Sequence, residues 1–146
     1  MNFSTLLKLM WLWPPFLGAG ISVKRFNSDF TTIIVQMKMR FWNKNYVGTH
    51  FGGSMYSMTD PFYMLMLMKH LGRDYIIWDK SASIRYKKPA KGTIYATFEL
   101  IPEHIETLRL EVEEKGKIQP EFIIELKNKD GDVVAEIKKI LSIAKK

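Results

Sequence analysis

A single carboxylate stands inside the most apolar part of this chain. Asp60 is the only charged residue between Phe51 and Met68, a run of eighteen residues. An ionised carboxylate in apolar surroundings needs partners or a catalytic purpose, either as a general base or as a nucleophile. Because the chain has no cysteine, Asp60 is the leading candidate for a catalytic group. The following residue, Pro61, leaves a structural alternative open, in which Asp60 caps a second helix.

Two glycines precede this carboxylate at the expected start of an apolar helix. The first N–H groups of a helix have no partner within it, and Gly52 and Gly53 have no side chain to keep a carbonyl oxygen away from them. This arrangement favours an oxyanion hole. Along one unbroken helix Asp60 would lie about 11 Å from the glycines, so one subunit does not easily supply both parts to one small carbonyl.

Further candidates lie in the loop before the helix and on the helix itself. Asn45 and His50 belong to a polar loop and are candidates for orienting a carbonyl or a water molecule, with purely structural roles as the alternative. Met55, Tyr56 and Met64 are expected to surround Asp60. Methionine side chains suit an adaptable apolar pocket, although they are also ordinary core residues.

Four cations cluster at the end of a later strand, at Arg85, Lys87, Lys88 and Lys91. They could attract a phosphate-bearing ligand, or they could form a solvated edge that deters aggregation. The formal charge of +7 is assigned to this cluster and to four lysines near the C-terminus, Lys138, Lys139, Lys145 and Lys146. No zinc module or recognition helix accompanies them, so nucleic acid is not an expected partner. No metal ligand set is recognised.

Hydrophobic patterning predicts one α+β domain across residues 1–146, with an N-terminal helix at 1–17 and a long central helix at 51–71. A curved antiparallel sheet of six strands is expected to wrap around the central helix. The segment 101–116 either forms a surface helix or extends the fourth strand. The six predicted strands lie at about 21–26, 33–41, 75–88, 92–100, 118–127 and 132–143.

This order of a hairpin, a glycine-led helix and antiparallel strands resembles the hotdog fold. The segment from Gly52 to Asp60 resembles the helix start of hotdog thioesterases of the phenylacetyl-CoA type, with Asp60 at the position of their catalytic acid. The whole chain looks closer to an uncharacterised hotdog family, through Trp-Pro-Pro-Phe-Leu-Gly-Ala-Gly at 13–20 and Asn45 to Gly52. Phe51 stands between His50 and the glycines, whereas the thioesterase pattern has histidine directly before them.

The resemblance implies an acyl-CoA or acyl-carrier-protein thioesterase, with coenzyme A as part of the substrate and no other cofactor. It also implies a homodimer, or a dimer of dimers, in which the acid and the donors come from different subunits. The cations from Arg85 to Lys91 would then lie at the mouth of the acyl tunnel. The alternative functions are a 3-hydroxyacyl-thioester hydratase or dehydratase using His50 with Asp60, and a non-catalytic acyl-binding or lipid-binding module.

The N-terminal segment is apolar but is not expected to cross a membrane. Its uncharged stretch from Leu9 to Val23 has fifteen residues and two prolines, whereas a spanning helix needs about 20 residues. A signal peptide is not expected either, and the absence of cysteine permits a cytoplasmic location. Peripheral membrane contact through Trp11, Trp13 and Phe16 remains as an alternative to packing on the domain.

Overall fold

A seven-stranded antiparallel sheet forms the body of the protein, whose computed structural model describes all residues 1–146. Six strands follow one another in the order β1-β2-β4-β6-β7-β3, and β5 pairs with β7. The predicted count of six is therefore one too low, because the two-residue strand β5 is too short to leave a sequence pattern. The strands are β1 Ile21–Phe26, β2 Thr32–Met37, β3 Tyr75–Tyr86, β4 Ile94–Glu99, β5 Lys117–Ile118, β6 Glu121–Lys127 and β7 Val133–Lys145.

The predicted central helix is two helices, α3 at Gly52–Ser57 and α4 at Phe62–Leu71, separated by a turn. Proline lacks the N–H that an interior helix position needs, and it disfavours helical backbone in the residue before it, so an unbroken helix cannot run through Asp60 and Pro61. On the core side of α4, the ring of Phe62 lies 5.0 Å from that of Phe98 on β4. The break places Asp60 in a turn rather than within a helix.

The predicted N-terminal helix is also interrupted, into α1 at Phe3–Leu9, a single 3-10 turn at Met10–Leu12 and α2 at Pro14–Ala19. Pro14 begins α2, since proline is well suited to the first turn of a helix. Phe16 is 1% exposed and stacks toward Phe62, with 6.1 Å between the ring centroids. The N-terminal segment thus packs against the central helices.

The segment after β4 is helical, which settles the choice left open by the sequence. Helix α5 runs from Pro102 to Lys115 and buries Ile105, Leu108 and Val112. These positions follow the spacing of one helical face. No helix of the structure has both the length and the hydrophobicity needed to cross a lipid bilayer.

Strand β2 is shorter than predicted, because it ends at Met37 rather than near Phe41. Beyond Met37 the chain turns, and the side-chain amide of Asn43 donates to the carbonyls of Ala19 and Lys38, at 2.8 Å each. Phe41 is consequently left 83% exposed.

Candidate functional site

Asp60 lies in the turn between α3 and α4, with its carboxylate held on one side only. The hydroxyl of Tyr56 donates to Oδ1 at 3.1 Å, and Nζ of Lys139 lies 3.5 Å from the same oxygen. Oδ2 has no protein partner, and the side chain is 43% exposed. The carboxylate makes no cap hydrogen bond to α4, so the capping alternative is not what the structure shows.

Lys139 on β7 is a fully buried lysine that organises this turn. Its ammonium donates to the backbone carbonyl of Asp60 and lies 2.9 Å from Oδ1 of Asp79 on β3. A buried charge is tolerated only when it is paired and hydrogen-bonded, and two carboxylates and a carbonyl meet that need here. The ammonium therefore ties together the turn before α4, strand β3 and strand β7.

Sequence reasoning missed Lys139, because it was grouped with the charges near the C-terminus. A usable signal was present: Ile137, Lys139 and Leu141 alternate along β7, and all three are buried. A charged residue in the inward phase of a strand indicates a buried ion pair. Its exposed neighbour Lys138 occupies the outward phase.

Tyr56 supplies a hydrogen-bond donor that stays protonated at neutral pH. Burial, and then the negative charges of Asp60 and Asp79, raise the pKa of Tyr56 to about 12. Its hydroxyl therefore keeps its proton and donates to Asp60 across the whole neutral range.

Gly52 borders a cavity of about 450 Å³ at the start of α3, whereas Gly53 does not line it. Gly52 and Gly53 are the first two residues of α3, and no side chain caps their N–H groups. A Cβ atom on Gly52 would lie 2.6 Å from the hydroxyl of Tyr86, which explains the need for glycine there. Because α3 has only six residues, these N–H groups act as individual donors more than through a helix dipole.

His50 lines the same cavity but is built into the loop. It is 4% exposed, and its Nε2–H donates to the carbonyl of Gly92 at 2.5 Å. Burial lowers its pKa, against the opposing effect of that hydrogen bond, so the ring is neutral at neutral pH. Nδ1 is an acceptor without a partner. No contact joins His50 to Asp60 within one chain.

Asn45 has a structural role in the turn from Asn45 to His50. Its Oδ1 accepts hydrogen bonds from the N–H groups of Val47 and Thr49, and its Nδ2 donates to the hydroxyl of Thr49 at 2.8 Å. These bonds occupy the amide and leave it little capacity to orient a substrate.

Within one chain, the acid Asp60 and the N–H donor Gly52 line different cavities. Asp60 and Tyr56 line a cavity of about 230 Å³ together with Trp13, and no residue lines both this cavity and the one beside Gly52. Met55 is buried beside the glycines, whereas Met64 lines neither cavity and packs against the core. The candidate residues thus form two separate half-sites.

The cation cluster divides in a similar way. Lys87 and Lys88 line the cavity beside Gly52, while Arg85 and Lys91 do not. The ammonium group of Lys87 lies 3.5 Å from the carboxylate of Glu136, and that of Lys88 lies 3.7 Å from the carboxylate of Asp132. Both pairs are exposed, and such pairs contribute little and exchange readily with other anions. No group of three or more His, Asp or Glu side chains is arranged to hold a metal ion.

A family model described as "Domain of unknown function (DUF4442)" matches residues 2–143, nearly the whole chain. The chain belongs to the DUF4442 family. This agrees with the expected relation to an uncharacterised hotdog family. No curated protein sequence matches this DUF4442 chain.

Solved structures confirm the hotdog fold of this DUF4442 protein. A Pseudomonas aeruginosa protein of unknown function, described as a probable thioesterase, superposes with a TM-score of 0.85 at 19% identity, over 99% of this chain and 97% of that one. A Chlorobaculum tepidum protein of unknown function gives 0.77 at 18% identity, over 98% and 94%. A Haemophilus influenzae thioesterase gives 0.69 at 12% identity, over 99% and 92%.

Proposed function

We propose that this DUF4442 protein hydrolyses acyl thioesters, with Asp60 as the general base or the nucleophile. The observation that carries the proposal is a carboxylate fixed through Oδ1 by Tyr56 and by the buried Lys139, with Oδ2 free of protein partners. A fixed carboxylate with one free oxygen is suited to accept a proton from water or to attack a carbonyl carbon. Similar folds in proteins described as thioesterases add support.

In the general-base form of the reaction, Oδ2 of Asp60 takes a proton from water while the water oxygen bonds to the thioester carbon. The carbonyl oxygen gains the negative charge and is held by the N–H groups of Gly52 and Gly53. The carbon–sulfur bond then breaks, and the thiolate leaves and takes the proton from Asp60. In the nucleophilic form, Oδ2 itself bonds to the carbon, thiolate leaves, and water hydrolyses the resulting anhydride.

The site is proposed to form between two copies of the chain, since the two half-sites lie apart in one. Strand β3 supports this: it pairs with β7 along one edge and with no strand along the other, over twelve residues. Trp78 and Ile76 lie exposed on this strand. Free sheet edges with apolar side chains favour strand pairing with another chain.

The substrate is proposed to be an acyl chain carried by coenzyme A or by an acyl-carrier protein. Lys87 and Lys88, beside the glycine half-site, would bind the phosphates of the carrier in exchange for their exposed carboxylate partners. Met55 would contact the acyl group at the bottom of that cavity.

A panel of acyl-CoAs of graded chain length, read out by release of free thiol, tests the proposal. We expect turnover by the wild-type protein and at least a hundredfold loss in Asp60→Asn. Asp130→Asn, which removes an exposed carboxylate in the turn between β6 and β7, is the matched control and should retain full activity. Thermal unfolding of all three proteins checks that they are folded.

Equal rates for the wild-type protein and Asp60→Asn would contradict the proposal. Loss of enoyl-thioester absorbance without release of thiol would assign the protein to the hydratase class instead. Binding of acyl-CoA with no turnover of any panel member would indicate a non-catalytic acyl-binding module.

A further inference from the structure

The positive charge of this protein is concentrated in its N-terminal part. Residues 1–59 contain six lysines and arginines and a single acid, Asp29, whereas residues 60–146 contain sixteen cations and fourteen acids. The first 59 residues therefore carry a net charge of +5 out of +7. Counted by segment, most of the excess charge therefore lies in residues 1–59, and not in the Arg85 cluster and the C-terminal lysines to which it was first assigned.

Five large apolar side chains are exposed in the same part of the molecule. We call this surface the N-terminal face: Trp11, Leu17 and Trp42 line one groove, and the ring of Phe41 lies 5.1 Å from that of Trp42. Leu12, next to Trp11 in sequence, is also close to half exposed. Its members come from the 3-10 turn, from helix α2 and from the segment after β2.

A groove of about 300 Å³ joins these elements and brings cations to the face. Trp11, Leu17 and Trp42 line it together with Lys38 and Arg40. Single exposed apolar residues are common, but several around one groove mark an interaction site.

The charges on this face favour an anionic lipid surface over a second copy of the chain as its binding partner. A second copy packed face to face about a two-fold axis would bring the positively charged patch around Lys38 and Arg40 against the same patch of its partner. Asp29 is the only acid in residues 1–59, so these segments offer the cations almost no compensating charge. An anionic lipid surface suits both the exposed aromatic side chains and the uncompensated cations of this face. Tryptophan favours the headgroup region, and each nearby lysine or arginine adds electrostatic attraction.

We propose that the N-terminal face docks this protein peripherally on anionic lipid bilayers, with Trp11, Phe41 and Trp42 inserted at headgroup level and Lys38 and Arg40 against the lipid phosphates. Of the three residues expected from the sequence, Trp11 belongs to this face and Trp13 lines the cavity beside Asp60, whereas Phe16 is buried against Phe62 and cannot reach a membrane. The proposal does not depend on thioesterase activity.

Flotation with phosphatidylcholine vesicles, with and without one third phosphatidylglycerol, tests it. We expect binding to the anionic vesicles only, weakened by salt. The paired variant Phe41→Ser with Trp42→Ser and the paired variant Lys38→Glu with Arg40→Glu should each reduce the bound fraction at least fivefold. Leu110→Ser, at an exposed position on α5, and Lys129→Glu, in the turn between β6 and β7, are the matched controls and should bind as the wild type does.

Three outcomes would overturn the proposal. The first is no binding to anionic vesicles, and the second is equal binding by the control and face variants. The third is a lower molar mass of the face variants in light scattering, which would make this face a contact between subunits. Release of thiol from a soluble short-chain substrate is measured in parallel, and unchanged rates in the face variants separate this proposal from the proposed function.

Discussion

A buried ammonium controls the geometry of the candidate acid. Lys139 donates to the backbone carbonyl of Asp60 and faces the carboxylates of Asp60 and Asp79, while the hydroxyl of Tyr56 donates to Oδ1 of Asp60. Taking a charge out of water is costly, so this ammonium stabilises the fold only while its partners stay in place. The same contacts keep Oδ2 of Asp60 open to a substrate or a water molecule.

We predict that Lys139→Met lowers kcat at least tenfold while KM changes less than threefold. Without the ammonium the two carboxylates repel each other, and the turn that holds Asp60 loses its tether. Steady-state kinetics on the preferred acyl-CoA measures the effect, with Lys138→Met on the exposed side of β7 as the control. Asp79→Asn gives an independent second variant, and a normal kcat in both folded proteins would contradict a positioning role for Lys139.

We also predict a dependence of stability on pH that arises from His50. Burial lowers its pKa below the ordinary value of 6.5, so the unfolded chain binds a proton at a higher pH than the folded protein does. The contribution of the neutral His50 ring to the free energy of unfolding is therefore fully present above about pH 7. This contribution is lost as the pH falls below 6.5.

The variant His50→Gln isolates this effect, because glutamine keeps an N–H donor for the carbonyl of Gly92 but does not titrate. The free energy of unfolding should fall more steeply in the wild type than in the variant between about pH 7 and about pH 5. Parallel curves for the two proteins would show that His50 is not the group responsible.

Between elements, a glycine joins the N-terminal helices to the sheet. Gly20 ends α2 with φ of +77° and begins the turn into β1. A Cβ atom there would lie 2.7 Å from Nδ2 of Asn43 and 2.8 Å from the carbonyl oxygen of Lys38. This junction also fixes the segment that carries Phe41 and Trp42, because the same amide of Asn43 holds it to α2.

We predict that Gly20→Ala lowers the free energy of unfolding by more than about 1 kcal/mol, since it combines a left-handed backbone with a clash against main chain. Gly18→Ala is the control, because it lies in α2 with no atom within 4 Å of its Cβ position. Its stability should stay the same or rise by up to about 1 kcal/mol. Urea denaturation compares the two, and equal stabilities would contradict this account of the junction.

Within one chain of the whole molecule, the two halves of the candidate site lie apart. Asp60 and Gly52 open into cavities that share no lining residue, and β3 leaves a twelve-residue edge unpaired. A symmetric dimer formed along β3 would hold two sites, each with the acid of one subunit and the donors of the other.

Mixing two inactive variants tests this arrangement. We predict that Asp60→Asn and Gly52→Val are each inactive alone, and that subunits of the two, dissociated and reassembled together, recover about one quarter of wild-type activity. Half of the mixed dimers pair one subunit of each kind, and only one of their two sites is then intact. A mixture that stays inactive, although it forms heterodimers, would place the whole site within one chain.

The sequence by itself determined the fold class and the main candidate acid. The evidence was local: alternation along the strands, a glycine-led apolar helix, and one carboxylate in an uncharged run. Such patterns can be recognised because burial of one face repeats apolar residues at a regular spacing along the chain. The same reading placed Asp60, Gly52 and Gly53 at the centre of the candidate site, although it extended the central helix through the break before Pro61.

Only the tertiary structure decided which groups surround that acid. Lys139 and Asp79 are distant from Asp60 in sequence. Pairing of β3 with β7 brings these two residues together, and packing of α4 on β3 brings them to the turn before α4. The structure likewise gathered Trp11 and Trp42 around one groove. Long-range contacts of this kind depend on sheet register and packing, which no local period encodes.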